Sequence, residues 1–177
     1  GTAGLRLAIT EKLARALPGA QVDPTCEVLV GAGGTHAFFC VANALLGEGD
    51  EVIVAAPYWP LTPGVFAATG CTIREVVITS EWLQGREVDL EVVLGAALTP
   101  KTRAIYFASP NNPDGKVWSA DSLERLAAFA ERHDLWVFAD EVYADLVYEG
   151  AHVSARAIAK LHDRLIVIHS LSKSHAL

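Results

Sequence analysis

The run Leu165-Ile166-Val167-Ile168-His169-Ser170-Leu171-Ser172-Lys173 passes from four consecutive apolar residues into a short polar segment that ends on a lysine. An unbroken apolar run of this length reads as a strand buried on both faces. A lysine just beyond a strand end, between small hydroxyl residues, can form a Schiff base through its amine where the site is dry enough to lower its pKa. A solvated loop lysine is the ordinary alternative, because lysines mostly sit in water.

The same pattern recurs along the chain. Apolar strands are predicted at residues 26–30, 52–56, 72–78, 103–108, 135–139 and 165–169. Helical spacing is predicted at residues 5–17, 36–46, 63–69, 90–98, 121–133 and 153–161. Pro18-Gly19 is expected to end the first helix, and Asp89 and Ser119 or Asp121 are expected to cap two others. Residues 81–87 are polar and are expected to form a loop. Strands that alternate with helices, and that are apolar throughout rather than at every second residue, predict an α/β fold: three α/β/α layers around a mostly parallel sheet.

Composition sets limits. The chain has 177 residues, enough for one domain with a real core. No apolar run approaches a membrane span, and the opening residues are not expected to be a signal peptide. A net charge of −7 does not suggest a nucleic-acid surface. Cys26, Cys40 and Cys71 match no metal spacing, so no metal is expected. They read as buried free thiols in a reducing, cytoplasmic compartment. The six histidines show no ligand spacing; His133, His152 and His162 read as surface or helix-end residues, while His169 and His175 flank the lysine. With no methionine and an opening at Gly1-Thr2-Ala3-Gly4, the chain is expected to be the middle of a larger protein.

In open parallel sheets, ligands bind beyond the carboxyl ends of the strands. The unusual residues fall there. Gly33-Gly34-Thr35 joins a predicted strand to a helix start, where backbone N–H groups and the helix dipole favour an anion. A plain tight turn is the alternative, and no Walker lysine follows. Trp59, between prolines in Pro57-Tyr58-Trp59-Pro60, could stack on a planar ring or serve as a core aromatic. Asn112 lies in the turn Ser109-Pro110-Asn111-Asn112-Pro113-Asp114-Gly115, where Asn is common for its own backbone bonding. Asp140-Glu141 ends a buried strand. A carboxylate there is costly unless it meets a cation, and a protonated heterocyclic nitrogen would serve; a solvent-facing pair is the alternative. Tyr143 could point its phenol into the same site.

Gly-Gly-Thr-His-Ala (33–37), Pro-Tyr-Trp (57–59), Asn-Asn-Pro-Asp-Gly (111–115), Asp-Glu-Val-Tyr (140–143) and Ser-Leu-Ser-Lys (170–173), in this order and spacing, resemble the class I/II aminotransferases of the fold-type I pyridoxal-phosphate enzymes. The resemblance covers essentially the whole chain. It implies that residues 1–177 are most of a large cofactor-binding domain, without an N-terminal segment and a C-terminal small domain. It implies pyridoxal 5'-phosphate as cofactor, held by Lys173 as a Schiff base, with Lys173 then acting as acid and base. Asp140 would pair with the pyridinium nitrogen, and Asn112 and Tyr143 would bond the ring hydroxyl. Trp59 would stack on the ring, and Gly33, Gly34, Thr35, Ser170 and Ser172 would hold the phosphate.

The implied activity is transamination between an α-amino acid and a 2-oxo acid, by a homodimer. A C–S lyase or a cyclising synthase of the same fold is the first rival. Such lyases often carry His where Tyr143 stands. The aminotransferase-like sensor domain of a transcription regulator is the second. His36 and Asp114 depart from the family pattern, which often has Glu and Thr there, and neither is expected to touch the chemistry. The family's phosphate-binding and carboxylate-binding arginines match no position in these residues.

Overall fold

Continuous apolar runs become strands only if both their faces find cover, and both do here. The computed structural model describes residues 1–17, 19 and 21–176. Pro18, expected to help end the first helix, lies outside the described residues. Strands β1 (Glu51–Ala56), β2 (Thr72–Val77), β3 (Thr102–Ala108), β4 (Trp136–Asp140) and β5 (Leu165–Ile168) form one sheet in the order β2-β1-β3-β4-β5. Every neighbouring pair is parallel.

Successive residues of β1 point to opposite faces, and Val52 to Ala55 are all buried. Ile53 and Ala55 join Phe107, Leu94, Leu123 and Phe129 under helices α5 (Leu90–Ala97) and α6 (Ala120–Arg132). Val52 and Val54 join Phe38, Phe66, Tyr106 and Phe138 under α2 (Gly34–Leu45) and α3 (Thr62–Ala67). These are the three layers that the apolar runs predicted. Burying each such side chain stabilises the fold by about 1.5–3 kcal/mol before entropy is counted. Helix α1 (Ala3–Ala16) lies largely on the surface, with Thr2 accepting from the Leu5 N–H as its cap. Among the described residues, no helix is long and apolar enough to cross a membrane.

Three sequence expectations are corrected. Residues 26–30 form no strand. A strand needs a partner for its backbone, and this segment pairs with none of the five; Leu29 is 73 % exposed and Cys26 is on the surface rather than buried. Residues 81–87 are not all loop, because α4 (Thr79–Leu83) turns the chain out of β2 and sets Trp82 edge-on against Trp118, 4.9 Å between centroids. Residues 153–161 form two 3-10 turns, Ala155–Ala157 and Ala159–Leu161, instead of one helix. The Ile158 N–H bonds the Ala155 carbonyl and the Leu161 N–H bonds the Ile158 carbonyl, each three residues back, so the segment closes tight turns instead of one α-helix.

The strand order reverses between β1 and β3: the chain steps outward from β1 to β2, then crosses back to β3 and continues to β5. The carboxyl ends of β1, β3, β4 and β5 therefore open on one rim at the reversal, where a crevice forms.

Candidate functional site

Each strand delivers a different side chain to that rim. β1 runs into Pro57-Tyr58-Trp59, β3 into the turn holding Asn112, β4 ends on Asp140, and β5 leads to Ser170 and the short helix α7 (Leu171–Ser174) carrying Lys173. Helix α2 starts on the same rim. Gly33, its N-cap, has φ of +90°, in the region where a Cβ would strain the backbone. Gly34 lies against the β5 exit; a Cβ built on it would stand 3.6 Å from the Ser170 Cβ.

One cavity of about 240 Å³ collects these groups, and Gly33, Gly34, Thr35, Trp59, Asn112, Asp140, Tyr143, Ser170, Ser172 and Lys173 all line it. At ~30 Å³ per water the space holds several waters' worth of volume, enough for a small ring with substituents. Its walls differ in character. Thr35 and the glycines present the open N-terminus of α2, which attracts negative charge. Ser170 caps α7 by accepting from the Ser172 N–H at 3.1 Å. Trp59 is half-buried, and its neighbour Tyr58 is bonded to Glu75, a contact that pushes the Tyr58 phenol up to about 12.

Asp140 is half-buried at the end of β4. Burial raises its carboxyl above the ordinary value, although the Tyr106 hydroxyl and the Val142 N–H favour the charged form. These two donors reach Oδ2 at 2.9 Å and Oδ1 at 3.2 Å. No salt-bridge partner for Asp140 is found among the described residues. Lys173 also lines the cavity and is exposed, its Nζ 5.6 Å from the centre of the Tyr143 ring. The arrangement offers an anion cradle, a flat aromatic wall, a half-buried carboxylate suited to a cationic heterocycle and a primary amine at the same cavity.

Several participants were not read from the sequence. Tyr106, Phe38 and Val142 also line the cavity. Tyr106 carried one usable signal, a phenol in an otherwise apolar strand, since a buried hydroxyl needs a partner. Glu141 does not face solvent: it is 2 % exposed and turns away from the cavity toward Ser154, Ala155 and His152. His152, expected at the surface, is thereby half-buried, its Nε2 3.1 Å from Glu141 Oε2. His169 and His175 are not among the cavity-lining residues. His36 accepts the Ala32 N–H at 3.1 Å and so braces the glycine turn.

Comparison with known proteins agrees with this geometry. A family model described as aminotransferase class I and II matches residues 1–177. The chain is 41 % identical over 177 residues to an arginine–pyruvate transaminase of Pseudomonas aeruginosa, covering all of this chain and 44 % of that protein. It is 38 % identical over 177 residues to an aspartate/prephenate aminotransferase of Thermus thermophilus, again covering 100 % and 44 %. Among solved structures, an aspartate aminotransferase of Thermus thermophilus superposes with a TM-score of 0.89 at 37 % identity, over 99 % of this chain and 44 % of that one. An aromatic aminotransferase from Pyrococcus horikoshii gives 0.91 at 32 % identity, over 100 % and 46 %. The chain thus spans less than half the length of these relatives. With the family pattern running along its full length, and a sheet of the same fold gathering the motif residues at one rim, the chain belongs to the class I and II aminotransferases.

Proposed function

We propose that the protein is a pyridoxal-phosphate-dependent aminotransferase that moves an amino group from an α-amino acid to a 2-oxo acid, and that residues 1–177 form most of its large, cofactor-binding domain. Members of this family use pyridoxal phosphate. The observation that carries the reading is the half-buried Asp140 carboxylate at the end of β4, without an ion-pair partner among the described residues, facing a cavity that Lys173 also lines. A buried carboxylate is costly to keep charged unless a cation meets it. A protonated ring nitrogen is such a cation, so the donor set fits this cofactor.

When bound, pyridoxal phosphate supplies a carbonyl that captures the substrate amine and a ring that accepts electrons. The chain's own groups then divide the work. Lys173 Nζ would hold the cofactor covalently and, once displaced, would carry a proton from the substrate Cα. Asp140 would keep the ring nitrogen protonated. Asn112 Nδ2 and the Tyr143 hydroxyl would donate to the ring hydroxyl, and Trp59 would cover one ring face. Backbone N–H groups at Gly33 and Gly34, with the Thr35, Ser170 and Ser172 hydroxyls, would hold the phosphate. A homodimer acting in the cytoplasm is part of the same proposal.

The test uses the full-length protein mixed with pyridoxal phosphate. Borohydride reduction is expected to fix the cofactor to Lys173, and the Lys173→Ala variant is expected to lose that adduct. A panel of amino acids is then expected to include one that yields its 2-oxo acid and pyridoxamine phosphate. A cofactor fixed to another lysine would overturn the assignment of Lys173. Pyruvate and ammonia from a thioether substrate, or no conversion with any amino acid, would overturn the transaminase reading.

A further inference from the structure

Tyr106 occupies an unusual position. It stands on β3, 1 % exposed, with its ring stacked on Phe38 at 5.1 Å and 15° and meeting Phe66 edge-on at 5.9 Å and 82°. The ring is thus packed between aromatic neighbours in the core. In the β3–β4 register, Tyr106 lies opposite Phe138 and Ala108 lies opposite Asp140, so Tyr106 and Asp140 share a face of the sheet, two positions apart along the strands. The phenol reaches that distance and donates to Asp140 Oδ2 at 2.9 Å, while the Val142 N–H holds Oδ1.

Each Asp140 oxygen therefore has one donor on the protein side, one from the backbone and one from a side chain whose ring is packed in the core. From this geometry, and resting on the pyridoxal-phosphate reading above, we propose that Tyr106 is a positioning residue for the reaction, orienting the Asp140 carboxylate and favouring its charged form so that it can hold the proton on a cofactor ring nitrogen. The phenol remains a donor throughout the working range, because burial and then the neighbouring Asp140 charge push it well above its ordinary value. Glu141 and His169 also act on Asp140 electrostatically, from the next residue and from beyond β5. Neither hydrogen-bonds to it, so Tyr106 is the side chain that sets its orientation.

The experiment uses Tyr106→Phe in the full-length protein, which keeps the ring packing and removes one hydroxyl. In the cofactor-free protein, the Asp140 carboxyl is titrated by carbon NMR. Its midpoint is expected to rise by about one pH unit, the scale of one lost charge-assisted hydrogen bond. With pyridoxal phosphate, Y106F is expected to weaken binding about tenfold. It should lower kcat with little change in KM for the amino acid, and shift the pH dependence of the bound cofactor's visible absorbance.

The same change made in a D140N background is expected to alter cofactor binding less than twofold, since the group it acts through is gone. Equal losses in both backgrounds would make Tyr106 merely structural and overturn the proposal, as would an unmoved Asp140 midpoint. If the parent protein bound no pyridoxal phosphate while the midpoint still moved, the role would be overturned too. The fault would then lie in the reading of the site and not in the Tyr106–Asp140 pair.

Discussion

The side-chain amide of Asn111 donates to the carbonyl oxygen of Pro57 across 2.9 Å, tying the loop beyond β3 to the loop beyond β1. Asn111 is 6 % exposed, and its Nδ2 also contacts Asp114 Oδ1 at 2.8 Å and Thr79 Oγ1 at 3.3 Å. Asp114 in turn accepts from the Thr79 hydroxyl and from the Lys116 N–H. The exits of three strands are thus pinned to one another, and two of them carry Asn112 and Trp59. Asp114, a departure from the family pattern, works here as a turn clamp behind the cavity.

Breaking this clamp should be felt in stability and in the site. Asn111→Ala is expected to cost about 2 kcal/mol, because it leaves a buried carbonyl and carboxylate short of a donor. Asn111→Asp should cost more, since it sets a second carboxylate against Asp114. Urea unfolding measures both. Pyridoxal phosphate affinity should fall in parallel, as the loops bearing Trp59 and Asn112 loosen. Unchanged midpoints in both variants would show that the clamp carries no stability.

Asp140 ties stability to pH. Its carboxyl titrates above the ordinary value near 3.8 when folded, owing first to burial. Between the unfolded and folded midpoints the folded chain binds more protons than the unfolded chain, so stability falls as pH rises through that window. Above it the cost of the partly buried charge remains. D140N is therefore expected to stabilise the cofactor-free protein at neutral pH, on the order of 1 kcal/mol, as removal of a functional group often does. The gain should shrink as pH falls toward 4. Thermal unfolding at a series of pH values checks this, and a gain that grew on acidification would contradict it.

Glu141, next to Asp140 in the chain, has the opposite task. It accepts from the Ala155 N–H, the Ser154 hydroxyl and His152 at 2.7, 3.1 and 3.1 Å. Glu141→Ala is expected to destabilise by about 3 kcal/mol, because it strands buried partners. Ser154→Ala removes one bond only and should cost about 1 kcal/mol. Comparing the two by denaturant titration separates the carboxylate from the hydroxyl.

Helix caps offer a simpler check. Asp89 accepts from the Glu91 and Val92 N–H groups at the start of α5, and Ser119 accepts from the Ser122 N–H at the start of α6. Changing either to Ala is expected to cost about 1 kcal/mol by leaving orphan donors at the helix end. Losses near zero in urea unfolding would mean that water replaces the caps fully.

What could be read from the chain and what could not divide along a physical line. Residues 52–56, 103–108 and 135–139 announced themselves as strands buried on both faces, because apolar runs of that length have few other uses. Residues 26–30 are equally apolar, yet they form no strand. Strand formation depends on a neighbour elsewhere in the chain, which composition does not report. The cavity residues were legible one by one, since Gly-Gly-Thr, Trp59, Asn112, Asp140 and Lys173 carry chemistry at strand ends.

Local pattern was enough for the layered α/β architecture, for Asp89 as a cap and for the residue types offered at the rim, while the choice of Ser119 over Asp121 came from the folded chain. The first three are local matters of period, propensity and chemistry. Only the tertiary structure decided that Glu141 turns away while Asp140 turns in, that Asn111 rather than Asn112 locks the loops, and that Tyr106 holds the carboxylate. Tyr106 meets Asp140 across 34 residues of sequence and Asn111 meets Pro57 across 54. Such pairs exist only after the sheet has brought distant strand ends side by side.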